Sequence, residues 1–239
     1  MRVRNALISF MVAATLSLPA MASPLVSYDA TYKVLRKGKA LGMGTRSLKQ
    51  DGDTYILHNA SDLSWLIFSD QREETATFTL GSDGQQVQAS QYQYKRTGTG
   101  PDDKESESFE GDTVRSGGAG INVKGVVYDP LSYQQQLALD LAAGKKDVTY
   151  HIVKELKEKV YRFRVVGEER LSTPYGDLDT LRVERVRDNS SRETLFWLAP
   201  KLHYTLVRLW QSKDGVEQME LVLSDYKEAA APTEAASPQ

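Results

Sequence analysis

From Ser23 onward the chain reads in period two. "VSYDATYKVL" sets Val26, Tyr28, Ala30, Tyr32 and Val34 on one side and Ser27, Asp29, Thr31 and Lys33 on the other, the pattern of a strand buried on one face only. Lys37-Gly38-Lys39 turns the chain into "LGMGTRSLK", where Gly42 and Gly44 predict a bulge or a close backbone approach. "DGD" at 51–53, "GSDG" at 81–84, "EGD" at 110–112 and "SKDG" at 212–215 punctuate the chain between strand-like runs, as hairpin turns do. Their recurrence is one of spacing, and no sequence repeat accompanies it.

Further strands are predicted in "TYILHNA", "EETATFTL", "QVQASQYQYKR", "SESFE", "TVRS", "DVTYHIV", "KVYRFRVVGEERL", "LDTLRVERVR", "ETLFWLA", "HYTLVRLWQS" and "VEQMELVLSDY". Their polar positions are rich in Lys, Arg, Glu and Gln, which suits an antiparallel sheet with one wet side. About a dozen strands exceed what one flat sheet holds, since sheets beyond about ten strands curl or split. The expected fold is mainly β, a large, strongly curved antiparallel sheet forming a half-open barrel or a sandwich, with one amphipathic helix.

That helix is expected in "DPLSYQQQLALDLAAGKK", about 14 residues long, with Asp129 as N-cap, Pro130 at the first helical position and Gly144 just past the end. Tyr133, Leu137 and Leu141 form its apolar stripe, which suits packing on the concave side of the sheet or at one end of it. "SDLSWLIFSD" lacks alternation and is expected to be a short non-strand knot around Trp65 to Phe68. "TGTGPDDK" and "SGGAG" are expected to be flexible loops, and the Ala, Pro and Glu of "KEAAAPTEAASPQ" a disordered tail.

The N-terminus changes the picture. Arg2 and Arg4, an uncharged apolar run from Ala6 to Leu18, and Ala20-Met21-Ala22 read as a signal peptide over residues 1–22. The run is too short for the roughly 20 residues of a spanning helix. The expectation is a single β-rich domain over 23–227, exported to the periplasm, with no transmembrane segment and a tail at 228–239. The whole chain carries 30 basic and 32 acidic side chains. Such a balance disfavours nucleic acid as a partner. Cysteine is absent, which removes disulfides, thiolate metal sites and thiol catalysis together.

Candidate chemistry is sparse. His58, His151 and His203 sit in separate strand patterns with no ligand-like spacing to one another, so no metal or other cofactor is expected. Ser172, Asp177 and His203 supply the residue types of a triad, and Glu168, Glu169, Asp177 and Asp179 those of a carboxylate pair. Neither set carries a motif such as G-x-S-x-G, and geometry alone defines such sites. Apolar surface remains. Tyr and Trp side chains on a concave sheet either fill a core or line a pocket, and Trp65, Phe68, Tyr133 and Trp197 are the candidate ligand-binding residues.

The C-terminal third carries Thr173, Pro174 and Gly176, then Phe196, Trp197, Leu198 and Ala199, then Val207, Arg208 and Leu209. In these it resembles the family of bacterial exported proteins called domain of unknown function 3108. "YDATYKVLRKGKALGMG" is similar to the family's opening strand and "YDPLSY" to its approach to the helix, while Thr205-Leu206 stands where a Pro before Val-Arg is expected. The resemblance implies a periplasmic β-rich fold and assigns no activity. Catalysis is therefore not expected. The function expected is binding of a lipid or other apolar small molecule of the envelope, a reading that analogy with envelope lipid carriers also suggests. The alternatives are a structural or interaction module for an envelope protein, or a hydrolase with dispersed residues.

Overall fold

The computed structural model describes residues 25–65, 68–188 and 190–229. The expected signal peptide and nearly all of the expected tail lie outside these residues. Fifteen strands join in one sheet. The first eight form a meander: β1 (Tyr28–Arg36), β2 (Lys39–Asp51), β3 (Thr54–Trp65), β4 (Phe68–Leu80), β5 (Val87–Gly98), β6 (Asp103–Glu110), β7 (Thr113–Ser116) and β8 (Ala119–Asn122). The chain then crosses through β9 (Val127–Tyr128) and a helix, α1 (Tyr133–Ala142), to the opposite edge. It returns through β10 (Asp147–Lys154), β11 (Lys157–Thr173), β12 (Gly176–Val186), β13 (Arg192–Ala199), β14 (Thr205–Lys213) and β15 (Val216–Glu228). The last strand pairs with β1, so β1 lies mid-sheet between β2 and β15. Every pairing is antiparallel except β9 with β10, which α1 joins as a crossover.

The sheet curls around α1 without closing into a barrel. Its hollow side carries the large core, to which β1 to β5, β9 to β15 and α1 all contribute. Tyr133 stacks on Phe163 with ring centroids 5.6 Å apart, and Phe163 meets Phe196 edge-on at 5.8 Å. Tyr150 and Tyr161 complete the aromatic group around the start of the helix.

α1 is shorter than its sequence pattern predicts and is buried almost all round. Its polar residues Gln135, Gln136 and Asp140 are buried together with Leu137, Leu139 and Leu141. Burying Gln136 and Asp140 is tolerable because both are bonded. Gln136 Oε1 accepts from the Val87 amide at 2.8 Å, and Asp140 Oδ2 accepts from the Tyr150 hydroxyl at 2.7 Å. The helix thereby ties the β5 side of the curl to the β10 side. Ser132, not Asp129, takes the N-cap position. Asp129 instead holds the preceding turn, its Oδ1 accepting from the amides of Leu131 and Ser132, each at 2.7 Å. The C-terminus ends as expected at Gly144 (φ +80), with the Lys145 amide donating to Asp140 O and the Gly144 amide to Leu141 O.

A second set of contacts draws the two arms of the sheet together. The turn between β10 and β11 places Glu155 and Leu156 both at φ 54. That geometry suits a two-residue hairpin turn and normally selects Asn or Gly. Here Glu105 accepts from the Glu155 amide at 2.6 Å and buried Glu107 from the Leu156 amide at 2.9 Å. Val114, Val123, Val127 and Val153 fill the small core behind this seam.

Three expectations about local structure are corrected. On both sides of "SDLSWLIFSD" the chain is strand, with β3 and β4 paired as far as Trp65 opposite Phe68, while Leu66 and Ile67 of the expected knot lie outside the described residues. This hairpin end runs past the main core, so burial does not impose alternation on it. "SGGAG" is a tight turn at Gly117-Gly118 between β7 and β8, whose residues Ser116 and Ala119 pair. Only 99–102 of "TGTGPDDK" lies outside strands. β15 also runs to Glu228, the first residue of the tail expected over 228–239, because Lys227 and Glu228 pair with Asp29 and Tyr28.

Candidate functional site

Sheet register explains where the interior is filled and where it is open. Four inward-facing rows cross β1, β2, β3 and β4 in order: Tyr28-Leu48-Leu57-Ala76, Ala30-Arg46-Asn59-Glu74, Tyr32-Gly44-Ser61-Arg72 and Val34-Gly42-Leu63-Asp70. The first row is apolar and fully buried within the main core. The second is polar. In the third and fourth, β2 offers only glycine, so the wall recedes.

The result is a cleft of about 670 Å³ on the concave side. One wall is built from the second to fourth rows. The facing wall is aliphatic, with Leu206 and Leu209 on β14 and Met219 and Leu221 on β15, and all four side chains are half-buried. Aromatics fill the other end of the interior, around α1. Tyr32 is the one aromatic of the cleft lining, and its hydroxyl is turned away to donate to Leu206 O at 2.8 Å.

The inner end of the cleft is charged. Arg46, only 6% exposed, donates from Nε to the Tyr28 hydroxyl at 2.8 Å and from a terminal nitrogen to Gln134 Oε1 at 2.6 Å. Arg72 and Arg96 both bond Asp70, and the Arg72 hydrogen bond leads in holding the Asp70 carboxyl below its usual range. Burial pushes Glu74 up despite the hydrogen bond from the Tyr92 hydroxyl. Asn59 Oδ1 is buried with no hydrogen-bond partner among the described residues. Chemically, the site pairs an aliphatic trough with a polar floor holding donors, acceptors and charge.

The residues proposed from sequence are not brought together. Tyr133 lies in the aromatic core beneath α1. Trp197 is buried in the same core cluster as its neighbour Phe196, with Nε1 donating to Glu169 at 2.8 Å and Arg208 over its ring at 4.5 Å. Phe68 is 52% exposed beside the β3–β4 tip, and the Trp65 side chain is outside what the structure describes. None of Phe68, Tyr133 and Trp197 lines the large cleft. The signal that could have found it was "LGMG" in β2, since successive inward glycines remove a wall. Reading it required the register with Ser61.

The other candidate chemistry disperses. Ser172 donates to Asp177 at 2.7 Å within the β11–β12 hairpin, while His203 pairs with Glu228 at 3.3 Å. Glu169 is engaged with Trp197, and Asp179 with Arg170. Among the described residues no three His, Asp or Glu side chains gather as a metal site would need. The Thr173-to-Gly176 turn is the hairpin its sequence predicts, with the Gly176 amide donating to Thr173 Oγ1 at 3.2 Å.

Comparison with solved structures finds a candidate lipoprotein from Parabacteroides distasonis, 11% identical, covering 85% of this chain and 96% of its own, with a TM-score of 0.34. A candidate exported protein with a YmcC-like fold from Bacteroides fragilis is 13% identical over the same shares, with a TM-score of 0.35. No curated protein matches the chain. A family model matches residues 27–222, which run from the residue before β1 into β15. The chain therefore belongs to the family described as "Protein of unknown function (DUF3108)".

Proposed function

We propose that this is an exported, non-enzymatic periplasmic protein that binds an apolar or lipid-like molecule of the cell envelope in the concave cleft. The leader pattern over residues 1–22 supports export. The observation that carries the binding reading is the half-buried aliphatic wall of Leu206, Leu209, Met219 and Leu221 facing a glycine-lined gap. Apolar area left in a concave site of several hundred Å³ is what a small apolar ligand covers. At about 25 cal/mol per Å², each such side chain gains roughly 1 kcal/mol or more when a ligand removes it from water.

Gly44 gives a clean test. A Cβ added there meets its nearest atoms at 3.5 Å or beyond, ordinary contacts, and its φ is not in the left-handed region. Gly44→Leu therefore fills the cleft without straining the strand. Full-length protein exported and purified from the periplasm is examined by native mass spectrometry, and delipidated protein is titrated with a fluorescent fatty acid. A bound mass or saturable uptake in wild type, lost in Gly44→Leu at unchanged melting temperature, is the expected outcome. Wild type that is empty and takes up no amphiphile overturns the proposal.

A further inference from the structure

The cleft reading leaves two cations unexplained. Arg185 lies near the end of β12, two residues after Val183, which is buried in the main core, and Arg187 follows just past the strand. The Arg185 guanidinium lies over the Tyr161 ring at 3.3 Å, and its Nε is buried with no hydrogen-bond partner. Arg187 donates to Thr194 Oγ1 at 3.0 Å and weakly to Arg192 O at 3.4 Å. Among the described residues neither arginine has a carboxylate within ion-pair distance, whereas the cleft's Arg72 holds Asp70. Burial, then repulsion from Arg185 and Arg192, holds the Arg187 guanidinium below its usual range. Half-buried, adjacent and unpaired cations are costly, and natural folds retain few of them without a counter-charge.

Their position connects them to the cleft on two sides. Thr194, which Arg187 bonds, is opposite Gln211, and Gln211 lines the cleft beside Leu209. Tyr161, under Arg185, packs edge-on against Tyr133 at 5.8 Å, and the next residue, Gln134, accepts from the cleft arginine Arg46. Neither arginine lines the cleft itself; they stand beyond Thr194, on the side toward which an apolar chain lying along Leu209 and Gln211 would extend a polar head.

We infer that Arg185 and Arg187 form the head-group end of the cleft and that its occupant is an anionic amphiphile, a phosphate or carboxylate carried on an apolar chain. This rests on the cleft-binding reading and names the ligand class. Two arginines present planar donor forks that suit such oxyanions. Charge complementarity selects the anion, and the aliphatic wall selects a chain-bearing anion over a free one.

Full-length protein is titrated calorimetrically with decyl phosphate, decanol, decyltrimethylammonium and inorganic phosphate. Decyl phosphate should bind about tenfold or more tighter than decanol, as one added charge-assisted contact implies. Decyltrimethylammonium should bind more weakly than decanol, and inorganic phosphate should not compete at matched concentration. Arg185→Gln with Arg187→Gln should abolish the preference for decyl phosphate and leave decanol binding unchanged, while Arg185→Lys with Arg187→Lys, which keeps the charge and loses the fork, should retain only part of it. Decanol bound as tightly as decyl phosphate by wild type would overturn the head-group assignment and leave the cleft reading standing. So would a full preference in the glutamine pair. Inorganic phosphate binding as well as decyl phosphate would overturn the amphiphile. No binding of any chain-bearing probe would remove the cleft reading and this inference together. The wild-type comparison decides the matter even where the glutamine pair does not fold.

Discussion

Asp129 couples the fold to pH. Its carboxylate is fully buried. Oδ1 accepts from two amides at 2.7 Å, while Oδ2 has no hydrogen-bond partner among the described residues. Burial opposes ionisation more than the two bonds favour it, and the carboxyl is pushed up to about 6 from 3.8. Between these values the folded chain holds a proton that the unfolded chain has released. Stability from this group is therefore complete below the unfolded value and is lost as pH rises through the folded one. The fall is about 1.4 kcal/mol per pH unit, or about 3 kcal/mol in all. Glu74 and Glu107 are also pushed up by burial and act in the same sense. Asp70, held down by Arg72, acts in the opposite sense below the usual carboxylate range, outside this window. Asp129→Asn keeps the acceptor for both amides and cannot ionise. Urea unfolding followed by tryptophan fluorescence from about pH 4 to about pH 7 should show the variant gaining roughly 2–3 kcal/mol on wild type across the range. A wild-type stability that does not fall across this range, or a variant with the same slope as wild type, refutes the reasoning.

Three further outcomes follow from local geometry. Gly42→Ala places a Cβ 2.0 Å from Asp62 O, a backbone atom that cannot swing away. It should cost roughly 2–4 kcal/mol, read as a lower thermal midpoint. Glu155→Asn keeps the backbone bond to Glu105 and eases an exposed residue held at φ 54. It should raise stability by about 1 kcal/mol in chemical denaturation. Tyr133→Ala removes the ring shared by Phe163, Tyr150 and Tyr161. A loss of about 3–5 kcal/mol is expected, with near-ultraviolet circular dichroism reporting the loosened aromatic group.

By itself the sequence determined most of the strands, most of their turns and the helix between β9 and β10. Period-two burial shows wherever one face is wet, and Gly or Asp-Gly marks a chain reversal. The hairpin from Leu171 to Pro200 is the clearest case: Thr173, Pro174 and Gly176 specify its turn, and Ser172 and Asp177 close it. The same periodicity says which residues share a face of a strand and not which face of the sheet they join. In "LFWLA" both alternating sets are apolar, so only the fold decided that Phe196 meets Phe163 while Trp197 bonds Glu169 and lies under Arg208. Helix burial was hidden for a related reason. Gln136 and Asp140 look like a wet face until Val87 and Tyr150 arrive from distant strands to bond them. The cleft lies furthest from local reading. It exists because Gly44 aligns with Ser61 while β14 and β15 curl round to face them. A void formed by what several non-local strands leave out has no signature in any one of them.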